Sequence, residues 1–305
     1  MTTFRELEAF VAVVDMGSFE KAARSLDTSQ SAISRLINEL EGQFKYPLFN
    51  RNHRSAQLTI EGQEVLRQAR AILRQRVNLM ERFASPEIVA STLRLGVTEL
   101  AAVTWLGSFV VDLRARYPRI RLDLKVDSSI RLYEQMRDGH LDIAVVPEST
   151  RSANMTRITV GSAAFGWFCA ASRSIPKTLK LSQFEQETLL LQGTGGSSGN
   201  QIVNWLIDRG VRPANMIQSD SLAALSGICA AGLGIAGLPH AIASDAVASG
   251  LLQEVTVALG AISMAYILLI RIDSITDFHR TVAELVKRNC NFDSAMATQR
   301  RAARR

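Results

Sequence analysis

Cysteine is scarce in this chain, which has three in 305 residues, Cys169, Cys229 and Cys290. Their spacing fits neither a metal-ligand set nor a disulfide framework, and such scarcity is typical of a reducing compartment. The sequence also lacks an uninterrupted apolar run of about 18 residues, which a membrane helix needs. The first residues show none of the three parts of a signal peptide, which are a charged start, an apolar run and a cleavage site. We therefore expect a cytoplasmic protein with no metal, no cofactor and no membrane contact.

An even spread of positive charge is absent too. The net charge is +6, but residues 1–90 are nearly neutral, with twelve basic and eleven acidic side chains. The excess lies at the end, where residues 287–305 hold six basic side chains and one acid. The global charge is thus poor evidence for nucleic-acid binding. We expect residues 293–305 to form a disordered basic tail, with non-specific DNA contact as the alternative.

Two short helices with a tight joint are predicted between residues 18 and 41. Ser18 is placed to cap the first helix, whose apolar positions Phe19, Ala22, Ala23 and Leu26 have helical spacing. Thr28 or Ser29 caps the second, whose inward positions are Ala32, Ile33, Leu36, Ile37 and Leu40. An amphipathic helix precedes the pair and a small basic hairpin follows it. This order predicts a winged helix-turn-helix domain over residues 1–58.

The outward positions of the second helix carry polar side chains, namely Gln30, Ser31, Ser34, Arg35 and Asn38. Short polar donors and an arginine suit base edges and phosphates in a major groove. Arg35 suits a guanine edge or a phosphate, and Gln30 suits adenine; a solvated helix face is the alternative for all of them. The predicted DNA-binding set also includes Ser18, Thr28 and the hairpin residues Arg51, His53 and Arg54, for which an exposed loop is the alternative.

Residues 59–90 are predicted to form a linker helix and hinge, with the helix running from Thr59 to about Phe83. Its apolar side chains follow heptad-like spacing, at Val65/Leu66, Ala69, Ile72/Leu73, Leu79/Met80 and Phe83. Nothing obvious in the same chain covers this stripe. We expect a second copy to cover it, so that the helix dimerises; the alternative is packing on its own domain.

From residue 91 the pattern changes to alternating strands and helices, which indicates mostly parallel sheets with both faces covered. Predicted elements include a helix over Ala101–Arg116 and a strand over Phe165–Ala171. We expect a domain over 91–292 with two lobes, the first from 91–161 and 264–292 and the second from 162–263. The predicted fold class is therefore α plus α/β: a winged helix-turn-helix, a linker helix and a two-lobed α/β domain.

The opening 65 residues resemble those of the LysR-type transcriptional regulators. The positions that carry the resemblance are Leu7, Phe10, Gly17, Ser18, Phe19, Ala22, Ala23, Leu26, Ser29, Gln30, Ala32, Ser34, Arg35, Ile37, Leu40, Glu41, Pro47, Leu48, Phe49, Arg51, Leu58, Thr59 and Gly62. Domain order extends the resemblance to the rest of the chain. It implies an effector domain of periplasmic-binding-protein type and a homotetramer that binds double-stranded promoter DNA. It also implies contact with RNA polymerase and a response to a small metabolite.

The chain departs from the family pattern at three places. Ser31 stands where proline is usual, and Lys45 where a turn glycine is common; both should change the local geometry only slightly. Asn38 and Glu39 stand where basic residues are frequent. Since phosphate neutralisation sets both affinity and its salt dependence, we expect weaker or less salt-dependent DNA binding than is usual.

The predicted effector contacts lie where strands end and helices begin, because helix N-termini point amides into such clefts. These residues are Thr98, Glu99, Ser128 and Ser129; helix capping alone is the alternative. A Gly193–Gly199 loop adds Gly195 and Ser197, and it lacks the Gly-Lys-Ser/Thr of a phosphate-binding loop. We expect it to bind effector rather than nucleotide, and exposed amides favour a small organic acid, a carboxylate.

The competing function is a two-lobed solute-binding protein or an enzyme without a DNA role. The absent signal peptide opposes the first, and no nucleophile–base arrangement supports the second. We expect Cys169 and Cys229 to be buried, inert thiols rather than redox sensors. The aromatic stretch Phe165–Phe168 is expected in the core, although one ring could wall the cleft.

Overall fold

The computed structural model describes residues 1–44, 46–50, 56–81, 92–148, 154–193, 197–272 and 275–293. These residues belong to two compact units that divide near residue 85. Each unit is described on its own below. No helix in the described ranges is both long and apolar enough to cross a membrane.

The described part of the first unit contains four helices, and local capping sets the boundaries of the first three. They are α1 (Phe4–Met16), α2 (Phe19–Ser25), α3 (Gln30–Glu41) and α4 (Ile60–Glu81). Thr3 and Glu6 form a capping box at the start of α1, which satisfies two otherwise free N–H groups. Gly17 ends α1 with a φ of 66°, a left-handed conformation that favours glycine. The short connections therefore follow from the sequence itself.

The core of this unit lies between α1, α2, α3 and the first half of α4. Its buried side chains include Leu7, Phe10, Val13, Ala22, Ala23, Ile33, Ile37, Leu40, Leu48, Phe49, Leu66 and Ala69. Phe49 reaches this core from the hairpin, and its ring lies 5.4 Å from that of Phe10 in an edge-to-face arrangement. Burial of these side chains is the main source of the unit's stability.

The hairpin and α4 are joined at Thr59 and Gly62. The Thr59 hydroxyl donates to the carbonyl of Pro47 at 2.8 Å and accepts from the Gly62 N–H at 2.9 Å. A Cβ at position 62 would lie 2.1 Å from the carbonyl oxygen of Leu48. Only glycine permits this approach, so the start of α4 is seated directly against the hairpin.

The apolar stripe of α4 has two halves with different surroundings. Val65, Leu66, Ala69 and Leu73 pack on the core of their own unit, and buried Arg70 forms an ion pair with Asp15 of α1. The expectation that nothing in the chain covers the stripe is therefore wrong for this half. The second half stays exposed, at Ile72, Val77, Leu79 and Met80.

The second unit is built on a mixed sheet. In the described part of the chain its strands are β1 (Thr92–Val97), β2 (Arg121–Val126), β3 (Ile143–Pro147), β4 (Met155–Ala170), β5 (Thr178–Leu179), β6 (Thr188–Gln192), β7 (Asn215–Ser219), β8 (Ile235–Pro239), β9 (Leu252–Val257) and β10 (Ile262–Arg271). Their order is β2-β1-β3-β10-β4-β8-β6-β7, with β9 on β4 and β5 on β9. The predicted fold class is confirmed.

The helices of this unit are α5 (Glu99–Val103), α6 (Leu106–Arg116), α7 (Ser129–Arg137), α8 (Leu181–Gln186), α9 (Ser197–Ile207), α10 (Leu222–Ala230), α11 (His240–Ala248) and α12 (Asp277–Asn289). The single helix predicted over 101–116 is wrong. The chain breaks at Thr104, whose hydroxyl donates to the Leu100 carbonyl at 2.7 Å. Fully buried Trp105 then packs its ring on Phe109 and Phe292, and this burial outweighs helical continuity.

Two strands pass between the lobes of the second unit. Lobe one contains β1, β2 and β3 with α5, α6, α7 and α12, and lobe two contains β5 to β9 with α8 to α11. The first part of β4 pairs with β10, and its end lies between β8 and β9. β10 returns to pair with β3, with a register shift between Tyr266 and Ile267. The strand predicted from Phe165 actually starts ten residues earlier, because both crossings use one long antiparallel pair.

Candidate functional site

The outer face of α3 is polar and accessible. Gln30, Ser31, Arg35 and Asn38 are exposed, whereas Ile33, Ile37 and Leu40 are buried on the opposite side. Ser34 is only half-buried rather than fully outward, and Ala32, predicted inward, is also half-buried. The helix therefore presents a row of donors and acceptors from a rigid support, as an element that enters a DNA groove requires.

Serine residues cap the two helices of the pair. The Ser18 hydroxyl accepts from the Lys21 N–H at 3.4 Å. Of the two candidates for the cap of α3, Ser29 accepts from the Ala32 N–H at 3.2 Å, so Thr28 is not the cap and its side chain is exposed. The Ser29 and Ser31 hydroxyls lie 2.9 Å apart. Ser31 thus joins the turn through a hydrogen bond in place of a proline ring.

Arg35 is held loosely on the exposed face. Its Nε lies 3.7 Å from Oε1 of Glu39, one turn further along α3, and both side chains are largely exposed. Such surface pairs contribute little stability, so the guanidinium is available to an external partner. The predicted hairpin contacts Arg51, His53 and Arg54, and also Lys45, lie outside the described residues.

Glu41, at the end of α3, has a positioning role that the sequence reasoning did not assign. Its Oε1 accepts from the backbone N–H of Leu48 at 2.7 Å and of Phe49 at 3.2 Å. These bonds fix the first strand of the hairpin against α3. The signal was an acid at the end of the helix, directly after the apolar Leu40, and from the sequence alone it cannot be distinguished from a solvated charge such as Glu39.

A cavity of about 440 Å³ lies between the two lobes of the second unit. Its lining brings together Thr98, Glu99, Ser128 and Ser129, as predicted, with Asp127, Arg131, Phe165, Gln192, Gly193, Asp220, Ser221, Leu222 and Tyr266 among others. Of the aromatic stretch, Phe165 walls the cavity, whereas the Trp167 ring packs 4.8 Å from that of Phe184 in the core. This volume suits a small metabolite.

The predicted polar residues have different partners in this cavity. The Ser128 hydroxyl accepts weakly from the Arg131 N–H at 3.5 Å and caps α7, while Ser129 is buried. Thr98 precedes α5 without capping it, and its hydroxyl oxygen is buried with no hydrogen-bond partner among the residues that the structure describes. Glu99 binds the backbone of lobe two: its carboxylate accepts from Leu222 N–H at 2.7 Å and Ala223 N–H at 3.3 Å.

Only part of the glycine-rich loop, Gly193–Gly199, belongs to the described residues. Gly195 lies outside the described residues, and Ser197 begins α9. Gly193 lines the cavity beside Asp220, whose Oδ1 would lie 2.5 Å from a Cβ at position 193. Acidic side chains predominate over basic ones among the described lining residues, since Glu99, Asp127 and Asp220 face one guanidinium, that of Arg131.

The three cysteine thiols have raised pKa values. Burial raises the pKa of Cys169, that of Cys229 to about 11 and that of Cys290 to about 12. The expectation of buried thiols at Cys169 and Cys229 is confirmed. Within the described ranges no group of histidine, cysteine and acidic residues is arranged to hold a metal ion.

We expect these thiols to resist alkylation in the folded protein. At pH 8 a thiol of pKa about 11 is only about one thousandth thiolate, and the thiolate is the reactive form. Iodoacetamide at pH 8, followed by mass spectrometry, should leave the native chain unlabelled and label all three thiols after denaturation. If a thiol of the native chain is alkylated within minutes, this expectation is wrong, and a redox role for that cysteine would have to be considered again.

Two family models together match most of the chain. The bacterial regulatory helix-turn-helix model of the lysR family matches residues 4–63, and the LysR substrate binding domain model matches residues 87–291. The chain belongs to the LysR family of transcriptional regulators. It is thus a DNA-binding transcriptional regulator with an effector-binding domain, which confirms the resemblance seen in the sequence.

Individual relatives agree with this family. The regulator CzcR of Bacillus anthracis is 28% identical over 236 residues, 77% of this chain and 80% of its own length. Full-length OxyR from Pseudomonas aeruginosa has the same fold, with a TM-score of 0.79 at 20% identity over 96% of both chains. CbnR, solved with its target DNA, has a TM-score of 0.61 at 19% identity, over 94% of this chain and all of its own. The relatives of this LysR-family chain are transcriptional regulators.

Proposed function

We propose that this regulator binds an inverted repeat in promoter DNA through α3 and responds to a small organic acid in the interlobe cavity. The observation that carries the proposal is the cavity itself, which is lined by the N-terminal residues of α7 and α10. Helix N-termini favour anions, that of α10 already binds a carboxylate, the side chain of Glu99, and Arg131 adds a cation at one wall. The predicted contacts Thr98, Ser128 and Ser129 lie in this lining.

The proposed DNA contacts are Ser18, Thr28, Gln30, Ser31, Ser34, Arg35 and Asn38, with Arg51, His53 and Arg54 from the hairpin. Exposure of most of the α3 set and the loose Arg35–Glu39 pair support base or phosphate contact. The acidic Glu39 and neutral Asn38 remove positive charge from this face. We expect the salt dependence of binding to be shallow for the same reason.

The proposed assembly is a dimer through α4 that pairs further into a tetramer. Exposed apolar side chains in the second half of α4 support the dimer, since Ile72 and Leu79 are seven residues apart on one side of the helix and both are exposed, and exposed apolar clusters mark interaction surfaces. For the second contact, both outer strands of the sheet expose apolar side chains, Leu124 and Val126 on β2 and Met216 and Ile217 on β7. A second copy of the chain is the partner that we propose for these surfaces.

In this proposal the effector acts by favouring one arrangement of the lobes over another. A ligand shifts an equilibrium only by its difference in affinity for the two states. Its effect would pass to the tetramer geometry, to the bending of DNA and to contact with RNA polymerase. The protein is expected to work in the cytoplasm.

Footprinting of the full-length protein on the DNA upstream of its own gene tests this function. We expect a protected inverted repeat, with half-sites about one helical turn apart, whose footprint shortens or shifts with one organic acid. Protection that ignores every acid in a panel would contradict the ligand class and leave the regulator. A full survey of neighbouring promoters without protection would contradict the proposed promoter binding.

A further inference from the structure

The first turn of α10 has its N–H groups satisfied by side chains of the chain itself. Leu222 and Ala223 donate to the two carboxylate oxygens of Glu99, at 2.7 and 3.3 Å. Ala224 donates to the hydroxyl of Ser221 at 3.2 Å. The opening N–H groups of a helix have no partner within the helix. A ligand carboxylate therefore finds these donors already occupied.

The carboxylate that occupies them comes from the opposite lobe. Glu99 follows β1 in lobe one, whereas α10 lies in lobe two, 123 residues further along the chain. Hydrogen bonds from N–H groups to a charged carboxylate are about twice as strong as neutral ones, and the helix dipole adds to them. Glu99 thus links the lobes directly at the cavity where we propose that effector binds.

A second feature of the cavity is an unsatisfied hydroxyl next to this link. Thr98 lines the same cavity, and in the described part of the chain its buried Oγ1 has no hydrogen-bond partner. Buried polar groups are normally paired, because an unpaired one has lost its hydrogen bonds to water without replacement. The lining of the cavity therefore includes a hydroxyl group with no partner among the described residues, and a helix start whose N–H groups bind a side-chain carboxylate.

We propose that Glu99 is an internal latch that joins the lobes while no effector is bound, and that an effector carboxylate opens it by taking its place on α10. The proposal rests on the proposed organic-acid response and deepens it. It makes Glu99 a residue that determines specificity: only a ligand whose anionic group competes with Glu99 moves the lobes.

Chemical rescue with acetate tests the latch in the full-length protein. Acetate supplies the carboxylate that Glu99→Ala removes. In that variant we expect the backbone amides of Leu222 and Ala223 to exchange hydrogen about tenfold faster than in the unaltered chain, since local opening sets exchange. Sodium acetate at about 100 mM should restore their protection by mass action, whereas sodium chloride at equal ionic strength should not.

Two further variants serve as controls for this experiment. Glu99→Gln keeps one acceptor oxygen and the side-chain volume, and it should show intermediate exchange and weaker rescue. Glu254→Ala removes an exposed acid that faces His240 instead of α10, and it should behave as the unaltered chain does. Unchanged exchange in Glu99→Ala, or equal acetate protection in the variant and the unaltered chain, would overturn the latch.

Footprints of the same variants separate this proposal from the proposed function. Rescue by acetate supports the latch even if no organic acid shifts the footprint, and that second result would overturn the ligand class alone. Promoter protection that persists in Glu99→Ala, without any acetate rescue, would overturn the latch alone.

Discussion

Replacement of Arg35 by alanine is expected to lower affinity for promoter DNA by about 30-fold or more while the oligomer stays intact. A bidentate arginine contact contributes about 1–3 kcal/mol, and a dimer loses one contact at each half-site. The loss of folding stability should be small, because the side chain is largely exposed and its pair with Glu39 is long. Titration of labelled operator DNA at fixed salt would measure the change.

The control for Arg35→Ala is Arg67→Ala. Arg67 is also an exposed arginine paired with a glutamate on its own helix, Glu64, but it lies on α4. The Arg67→Ala variant should bind DNA with the same affinity as the unaltered chain. Unchanged binding by Arg35→Ala would show that α3 is not the reading face.

Arg35→Lys then distinguishes the two contacts that the sequence leaves open. Lysine keeps the charge but loses the planar fork that matches a guanine edge. Loss of discrimination against altered bases, with non-specific binding retained, would indicate base reading. Retained discrimination would indicate a phosphate contact.

Replacement of Leu79 by aspartate is expected to dissociate the assembly. Leu79 is 61% exposed on the second half of α4, where we propose that a second copy buries it. An unpaired carboxylate in an apolar interface is strongly unfavourable. Sedimentation velocity should show the mass falling by about half or more, toward the 33.5 kDa of one chain, and operator affinity should fall with it because the half-sites are no longer linked.

Leu251→Asp provides the matched control. Leu251 is 59% exposed and belongs to the second unit, so its replacement makes a similar change of surface at a residue outside α4. Its mass should not change. If Leu79→Asp sediments as the unaltered chain does, dimerisation through α4 would be wrong.

The sequence predicted best those elements whose signals are local. The capping serine and the spacing of apolar positions defined α2 and α3 to within a few residues, because helix ends depend on nearby side chains. It failed at Thr104, where burial of Trp105 splits a helix, and at α11, whose small residues in His240–Ala248 show no amphipathic period. It also placed the start of β4 ten residues late.

The candidate sites show the same division between local and distant contacts. Exposure of Arg35 and Asn38 followed from helical periodicity, whereas the half-burial of Ser34 depends on neighbouring helices. The residues of the cavity were predicted in part, because strand ends and helix starts are visible in the sequence. The bond from Glu99 to Leu222 was not, since it joins residues 123 positions apart and depends on how the lobes meet.

The seat of α4 on the hairpin has a mechanical consequence. Gly62 brings the helix backbone onto Leu48, and the Thr59 hydroxyl binds both Pro47 and Gly62. We therefore expect the described residues of the hairpin beside Leu48 and the first turns of α4 to move as one body. A rotation of the exposed end of α4 would therefore be passed to Leu48 and, through the bonds from Glu41, to α3, so that these elements rotate as one rigid body. In a dimer formed through α4, a small change in the crossing angle of the two α4 helices would then change the distance between the two α3 helices.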